Sequence, residues 1–194
     1  MSDGPAPAQG TRGDSPAGDG RFAVRRARTA DVRAIRQLLD DYARQRILLS
    51  KETVTLYEDV QEFWVADAAG DTHGSVEPQV IGCGALHVMW EDLAEVRTLA
   101  VAEDWRGHGV GHAILSRLLH VASELGVTRV FCLTFEVDFF ARHGFERVDG
   151  APVPPDVYAQ LLRSYDEGIA EFLDLDRVKP NTLGNVRMLR RIGG

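Results

Sequence analysis

A glycine-rich turn between a strand-like segment and a long apolar helix is the feature that most restricts the fold of this chain. Gly107, Gly109 and Gly111 follow "EVRTLAV" and open a stretch with helical spacing, which predicts a helix from Val110 to Leu125. Glycine is among the poorest helix formers and costs about 1 kcal/mol in a helix interior. These glycines are explained if an anion lies against the helix start, where unpaired N–H groups and the helix dipole attract phosphate.

The rest of the chain alternates between strand and helix patterns, which predicts a mixed sheet with helices packed on it. We expect strands over residues 21–27, 62–68, 79–90, 93–101, 127–135, 144–150 and 186–192. Further helices are predicted after Thr29 as N-cap and over 50–61, 137–143 and 155–175. Residues 1–20 are nearly all Gly, Pro, Ala, Ser, Asp and Thr, which predicts a disordered leader.

Composition excludes several function classes. A net charge of −7 counts against nucleic-acid binding, since such domains usually carry a basic face. No apolar run approaches the roughly 20 residues of a membrane helix, and the N-terminus lacks the features of a secretion signal. Cys83 and Cys132 lie in apolar stretches and are expected to be buried thiols. We therefore predict a cytoplasmic protein with no nucleic-acid or membrane partner, and leave a homodimer open.

The spacing of the glycines narrows the choice of nucleotide. It matches neither G-x-G-x-x-G nor a Walker loop, so dinucleotides and nucleoside triphosphates fit badly. The pattern Arg106-x-x-Gly109-x-Gly111 after "LAV" resembles the acetyl-CoA pyrophosphate loop of the GCN-five-related N-acetyltransferases (GNAT family). "EVRTLAV", "VFCLTF" and "FFARHGFERV" are similar to that family's fourth strand, fifth strand and a later helix–strand signature. The resemblance implies an α/β (α+β) GNAT fold, with a mixed, mostly antiparallel sheet of six to seven strands, helices on both faces and a single domain over 21–194.

Within the family the chain resembles the acetyltransferase domain of N-acetylglutamate synthases in a short form without an amino-acid-kinase domain. The likeness rests on "VRRARTADVRAIRQLLDDYARQRILLSKE" and "CLTFEVDFFARHGFERVD". It implies transfer of acetyl from acetyl-CoA to the α-amine of L-glutamate, the first step of arginine biosynthesis. The synthases use basic residues before the final strand, whereas "VKPNTLGNVR" has asparagines there, which suggests L-glutamine as a further acceptor. Two alternatives stay open: an acetyltransferase for a protein N-terminus or another small amine, and a non-catalytic acyl-CoA sensor.

The resemblance also implies which residues hold acetyl-CoA. The backbone of Leu99, Ala100 and Val101 would bind the pantetheine arm. The pyrophosphate would be held by Arg106, Gly107, His108, Gly109, Val110, Gly111 and His112. Phe140 stands where many members carry a tyrosine that protonates the leaving thiolate. Phenylalanine has no proton to donate, so Phe140 is expected to line the channel and the general acid is unassigned.

Glu95 stands where many family members carry the general base that deprotonates the acceptor amine. Strand alternation predicts Glu95, Arg97 and Leu99 on one face, which equally allows Glu95 to be a solvated partner of Arg97. Candidate substrate-binding residues are Lys51, Arg97, Lys179 and Asn181. No metal is expected, because His108 and His112 lack the glutamate that metalloprotease spacing requires.

Overall fold

Seven strands form one sheet in the computed structural model, which describes residues 21–44, 52–69, 79–175 and 184–193. The strands are β1 (Phe22–Arg26), β2 (Phe63–Ala68), β3 (Val80–Trp90), β4 (Leu93–Val101), β5 (Arg129–Thr134), β6 (Glu146–Arg147) and β7 (Val186–Arg191). Their order is β1-β2-β3-β4-β5-β7-β6, and all neighbours are antiparallel except the parallel pair β4–β5. The predicted mixed, mostly antiparallel sheet is confirmed.

Helices cover both faces of this sheet. They are α1 (Val32–Arg44), α2 (Thr53–Glu58), α3 (Val110–Glu124), α4 (Val137–Arg142), α5 (Pro155–Leu161) and α6 (Glu167–Phe172). Strand β4 shows how the faces divide, since Ala94 and Val96 pack in one core cluster with α3. On the opposite face Ala100 packs with α1 and α2, whereas Leu93 packs with α5 and α6. That second face therefore carries two separate apolar clusters, and a polar site lies between them.

The prediction of one C-terminal helix over 155–175 is wrong, because this segment forms two helices, α5 and α6. The break is made by polar side chains that bind the backbone. The Asp166 N–H donates to Oγ of Ser164 at 3.1 Å, and Oδ1 of Asp166 accepts the Ile169 N–H at 2.9 Å as the N-cap of α6. Such bonds compete with helix continuation, and they turn the start of α6 onto the sheet.

The first helix also begins differently from the prediction. Thr29 lies inside a 3-10 turn (Thr29–Asp31) whose N-cap is Arg28, so Thr29 is not the N-cap. Asp31 accepts the Arg28 N–H at 2.6 Å and pairs with Arg25 at 2.7 Å. The buried Asp31 carboxylate thus takes the capping role that the sequence pattern assigned to threonine.

Two other predicted elements are shorter than expected. The helix over 50–61 is limited to α2 and a 3-10 turn at Val60–Glu62, and the strand over 144–150 to β6. Within the described residues, no helix is both long and apolar enough to cross a membrane.

Candidate active site

The site lies where β4 and β5 part. Their parallel pairing runs from Leu93 opposite Arg129 to Glu95 opposite Phe131 and goes no further in the described strands. Beyond Glu95 no described residue of β4 pairs with β5, which leaves room for an extended ligand along this edge. Glu95 therefore stands at the inner end of a gap in the sheet.

A β-bulge in β4 decides which side chains share a face. Cys83 of β3 pairs with Ala100 and Ala85 pairs with Arg97, so β4 has one extra residue there, and Thr98 has φ +63°. Because of this bulge, Leu99 packs in the α3 cluster, whereas Glu95 and Arg97 face α6. The prediction that Leu99 shares a face of β4 with Glu95 and Arg97 is therefore wrong, because side chains do not alternate regularly across a bulge.

Glu95 is a buried carboxyl group whose environment favours the neutral form. Glu95 is only 3% exposed, and its Oε2 atom has no hydrogen-bond partner among the described residues. Gly168 of α6 covers it so closely that a methyl group there would lie 2.6 Å from Oε2. Burial raises the pKa of Glu95 from 4.5 to about 7, while the charge of Arg97 opposes that rise. This pKa is close to the operating range of a general base.

Arg97 lies two residues from Glu95 and is held by acidic side chains. Nη2 is 2.9 Å from Oε2 of Glu62, and Nη1 is 3.0 Å from Oδ2 of Asp166. Asp59 lies 3.7 Å from Nη2. The buried Nε has no hydrogen-bond partner within the described part of the chain. Arg97 is thus fixed in position, and one of its N–H groups is left without a partner among the described residues.

His87 completes a ring of alternating charges that sequence reasoning missed. It faces Glu95 across the β3–β4 pair, and its Nδ1 is 2.7 Å from Oε1 of Glu62. Nε2 is 3.9 Å from Oδ1 of Asp166, which returns to Arg97. Glu62 and Asp166 are 33 and 71 positions from Glu95 and belong to no recognisable motif. A histidine in an otherwise apolar strand was the one available signal.

The electrostatics of the ring follow from its pairing. Burial lowers the pKa of His87, but the hydrogen bond to Glu62 and nearby carboxylates outweigh burial, so the pKa is raised above 6.5. Burial would raise the pKa of Glu62 and Asp166, yet hydrogen bonds and the charges of His87 and Arg97 lower both below their ordinary values. Each charged member therefore stabilises its neighbours.

The glycine-rich turn has the geometry of an anion site. Gly107 and Gly109 have φ of +78° and +81°, values that L side chains rarely adopt, and a methyl group at either would meet nothing within 4 Å. Gly109 is the N-cap of α3, so the N–H groups of the first helical turn lack intrahelical partners. A methyl group at Gly111 would lie 3.6 Å from the side chains of Val101 and Phe139.

Arg106 borders a cleft beside this turn. Its guanidinium lies over the ring of Tyr42, 5.0 Å from the centroid. The cleft has a volume of about 330 Å³ and is lined by Leu38, Asp41, Tyr42, Val101, Ala102, Glu103 and Arg106. A cation at the mouth of a cleft that leads from the anion site to β4 suits a phosphorylated ligand with a long arm.

Tyr42 occupies the backbone groups that were predicted to bind pantetheine. Its hydroxyl donates to the carbonyl of Val101 at 2.8 Å and accepts the Val101 N–H at 3.1 Å. Ala100 is buried and paired with Cys83. A ligand that uses the Val101 backbone must therefore displace the Tyr42 hydroxyl.

Of the aromatic and histidine residues predicted to line the acetyl-CoA site, only some lie beside the glycine-rich turn. Phe140 lies in the core, with its ring 5.1 Å from that of Phe145, so it is Phe139 that reaches Gly111. His112 contacts His143, Nδ1 to Nε2, at 2.7 Å, and His108 is exposed.

Three predicted substrate residues, Lys51, Lys179 and Asn181, lie outside the described residues. Among the residues with described positions, no three His, Cys, Asp or Glu side chains are arranged to hold a metal ion.

Comparison with known proteins places this geometry in a family. The chain is 60% identical over 171 residues, 88% of its length and 95% of the relative's, to a Mycobacterium tuberculosis amino-acid acetyltransferase. A solved M. tuberculosis structure in complex with CoA and the ligand NLQ matches with TM-score 0.79 and 58% identity, covering 88% of this chain and 99% of that one.

A more distant match bears on the fold alone. N-acetylglutamate synthase of Neisseria gonorrhoeae, complexed with coenzyme A and N-acetyl-glutamate, has TM-score 0.70 at 22% identity, and the match covers 89% of this chain and 35% of that one. The acetyltransferase (GNAT) family matches residues 32–147. This chain belongs to the GNAT family of acetyltransferases.

Proposed function

We propose that this protein transfers acetyl from acetyl-CoA to the α-amine of L-glutamate, with L-glutamine as a second acceptor, as the first step of arginine biosynthesis. The proposal rests above all on two buried polar atoms without partners in the described residues, Oε2 of Glu95 and Nε of Arg97. They belong to residues two apart on one face of β4, whose Cα atoms are about 7 Å apart along the strand. A carboxylate and a guanidinium at that distance complement the ammonium and carboxylate groups of an α-amino acid. The 60% identical amino-acid acetyltransferase of M. tuberculosis supports the same class of acceptor.

Acetyl-CoA is proposed to lie between the glycine-rich turn and Glu95. The N–H groups from Gly107 to His112 and the Arg106 side chain would hold the pyrophosphate. The pantetheine arm would then run along the cleft and bind the backbone of Leu99 to Val101 in place of the Tyr42 hydroxyl. This path leads the thioester to the gap between β4 and β5. In this arrangement Phe140 supports the channel from the core.

The chemistry needs one base and balances without a separate acid. Glu95 removes a proton from the substrate ammonium group, and the neutral amine attacks the thioester carbonyl carbon. A C–N bond forms, the C–S bond breaks, and the thiolate of CoA leaves. The second proton of the attacking nitrogen neutralises that thiolate, whose ordinary pKa is about 8.5. One proton per turnover remains on Glu95 and has to reach solvent.

Charge in the described part of the site favours glutamine as an acceptor beside glutamate. Arg97 and His87 lie among the carboxylates of Asp59, Glu62, Glu95, Asp166 and Glu171. The side-chain carboxylate of glutamate is repelled by this excess, whereas the amide of glutamine is neutral. Lys51, Lys179 and Asn181 are proposed to bind the acceptor as well, with Lys51 near its α-carboxylate and Asn181 near its side chain. We expect comparable kcat/KM values for the two amino acids, and strong discrimination for glutamate would refute this part.

The alternatives fit the site less well. A protein N-terminus needs an open groove, whereas α6 lies directly on Glu95 through Gly168. A sensor that only binds acyl-CoA has no use for a buried carboxyl group with a pKa of about 7. We propose the cytoplasm as the compartment, which agrees with the buried free thiols of Cys83 and Cys132. A homodimer stays a prediction that light scattering can decide.

Thiol release from acetyl-CoA across the twenty amino acids tests the proposal. We expect turnover with glutamate and glutamine, at least a hundredfold lower kcat in Glu95→Gln, and a raised KM for acetyl-CoA in Arg106→Ala. Glu91→Gln, an exposed acidic position on the β3–β4 turn, serves as the matched control. Turnover of other amines only would overturn the acceptor, and full activity of Glu95→Gln would overturn the base.

A further inference from the structure

The proposed reaction leaves one proton on Glu95 in every turnover, and Glu95 has little direct contact with solvent. The residue is 3% exposed, covered by Gly168 on the α6 side and by the sheet on the other. A base that returns its proton to water only when the site opens is regenerated slowly, because each turnover then waits for that opening. A second titratable group that reaches both Glu95 and solvent removes this wait.

His87 meets both conditions. It is directly opposite Glu95 in the β3–β4 register, and side chains of directly opposed residues lie on the same face with Cβ atoms about 5 Å apart. Its side chain is 18% exposed, and that of its partner Glu62 is 26% exposed. Exposure thus increases in the order Glu95, His87, Glu62, which traces a path from the buried base to water.

We propose that His87 carries the proton from Glu95 to solvent, with Glu62 holding the imidazole in place for this transfer. The inference rests on the proposed role of Glu95 as base. Nδ1 of His87 is engaged by Glu62 at 2.7 Å, whereas Nε2 lies 3.9 Å from Oδ1 of Asp166, beyond hydrogen-bond distance, so Nε2 is the nitrogen that accepts the proton from Glu95. The imidazolium then loses a proton to water at its exposed edge and returns to the neutral form. One proton enters and one leaves, with no change in covalent bonds elsewhere.

The charged groups around His87 suit this role. Glu62 comes from the turn before β2, Glu95 and Arg97 from β4, and Asp166 from the N-cap of α6. The carboxylates of Glu62 and Asp166 stabilise the imidazolium as it forms, and Arg97 limits that stabilisation. Burial lowers the pKa of His87, but the hydrogen bond to Glu62 and the nearby carboxylates outweigh burial and raise it, and burial raises the pKa of Glu95, so both groups hold a proton more tightly than usual. Asp59 binds Arg97 and acts on His87 only through it.

His87→Asn tests the relay, because asparagine keeps a donor toward Glu62 but does not titrate. We expect kcat to fall about tenfold or more in weakly buffered solution, with KM for acetyl-CoA and for the acceptor within twofold of wild type. Added imidazole, a small proton carrier, restores kcat in a concentration-dependent manner in this variant and leaves wild type unchanged. The control is His120→Asn, an exposed α3 histidine paired with Glu124, which retains wild-type kcat.

A second variant keeps the test decisive if His87→Asn folds poorly. Glu62→Gln retains a hydrogen-bond acceptor but loses the charge, so the pKa of His87 falls and the acid limb of the kcat–pH profile moves to lower pH. Unchanged kcat in His87→Asn, or a loss that imidazole does not restore, would overturn the relay. The assay uses whichever amine wild type acetylates, with Glu95→Gln in parallel. Active Glu95→Gln therefore marks failure of the proposed base, and inactive Glu95→Gln with fully active His87→Asn marks failure of the relay alone.

Discussion

Replacing Glu95 with glutamine is expected to stabilise the protein while removing its activity. Burial raises the pKa of Glu95 from 4.5 to about 7. One pKa unit corresponds to about 1.4 kcal/mol, so the ionised form in the folded protein costs about 3 kcal/mol. Glutamine has nearly the same shape and no charge, and it avoids this cost.

The sign of the pH dependence follows from linkage. Between about pH 4.5 and 7 the unfolded chain has released the Glu95 proton while the folded protein retains it. Raising the pH through this window therefore lowers the contribution of Glu95 to the free energy of unfolding of wild type, by about 1.4 kcal/mol per pH unit, and the loss is complete above pH 7. Glu95→Gln lacks this contribution, so its advantage grows from about zero at pH 4.5 to about 3 kcal/mol at pH 8.

Equilibrium urea unfolding of both proteins at pH 5, 6, 7 and 8 measures this difference. For a domain of this size, about 3 kcal/mol corresponds to a Tm increase of about 6 to 12 °C at pH 8. Glu91→Gln, which neutralises an exposed carboxylate, is expected to stay within about 0.5 kcal/mol of wild type at every pH. A difference between Glu95→Gln and wild type that does not vary with pH would refute the reasoning, as would a more stable wild type at pH 8.

Three further outcomes are expected. Log kcat/KM for the acceptor should fall with unit slope below about pH 7 as Glu95 becomes protonated, and a limb near pH 4.5 would contradict the burial argument. Gly168→Ala places a methyl group 2.6 Å from Oε2 of Glu95, so α6 must shift. We expect about 1 to 3 kcal/mol of destabilisation in urea unfolding and at least a tenfold loss of kcat in the thiol-release assay. Tyr42→Phe removes the hydroxyl that competes for the Val101 backbone, so the Kd of CoA measured by calorimetry should fall about two- to tenfold. Weaker binding of CoA by this variant would show instead that the hydroxyl contacts CoA.

The sequence by itself determined the framework and the donor side of the site. Short stretches of sequence were sufficient for these features. The periodicity of apolar residues along consecutive positions predicts the strands and helices, and Gly107 and Gly109 indicate backbone angles that other residues rarely adopt. For this reason α3, the succession of strands along the chain and the loop after β4 were predictable. The family resemblance predicts Glu95 as the base, whereas the residue pattern equally allows a solvated carboxylate.

Tertiary structure alone decided the acceptor side. Whether Glu95 is solvated or buried depends on α6, whose start is turned onto β4 by Asp166 and closes over the carboxylate through Gly168. The ring that joins Glu62, His87, Arg97 and Asp166 unites four elements far apart in the chain, and a bulge at Thr98 moves Leu99 to the other face. Burial, ion pairing and bulges arise from contacts between segments distant in the sequence, so no short pattern of residues predicts them.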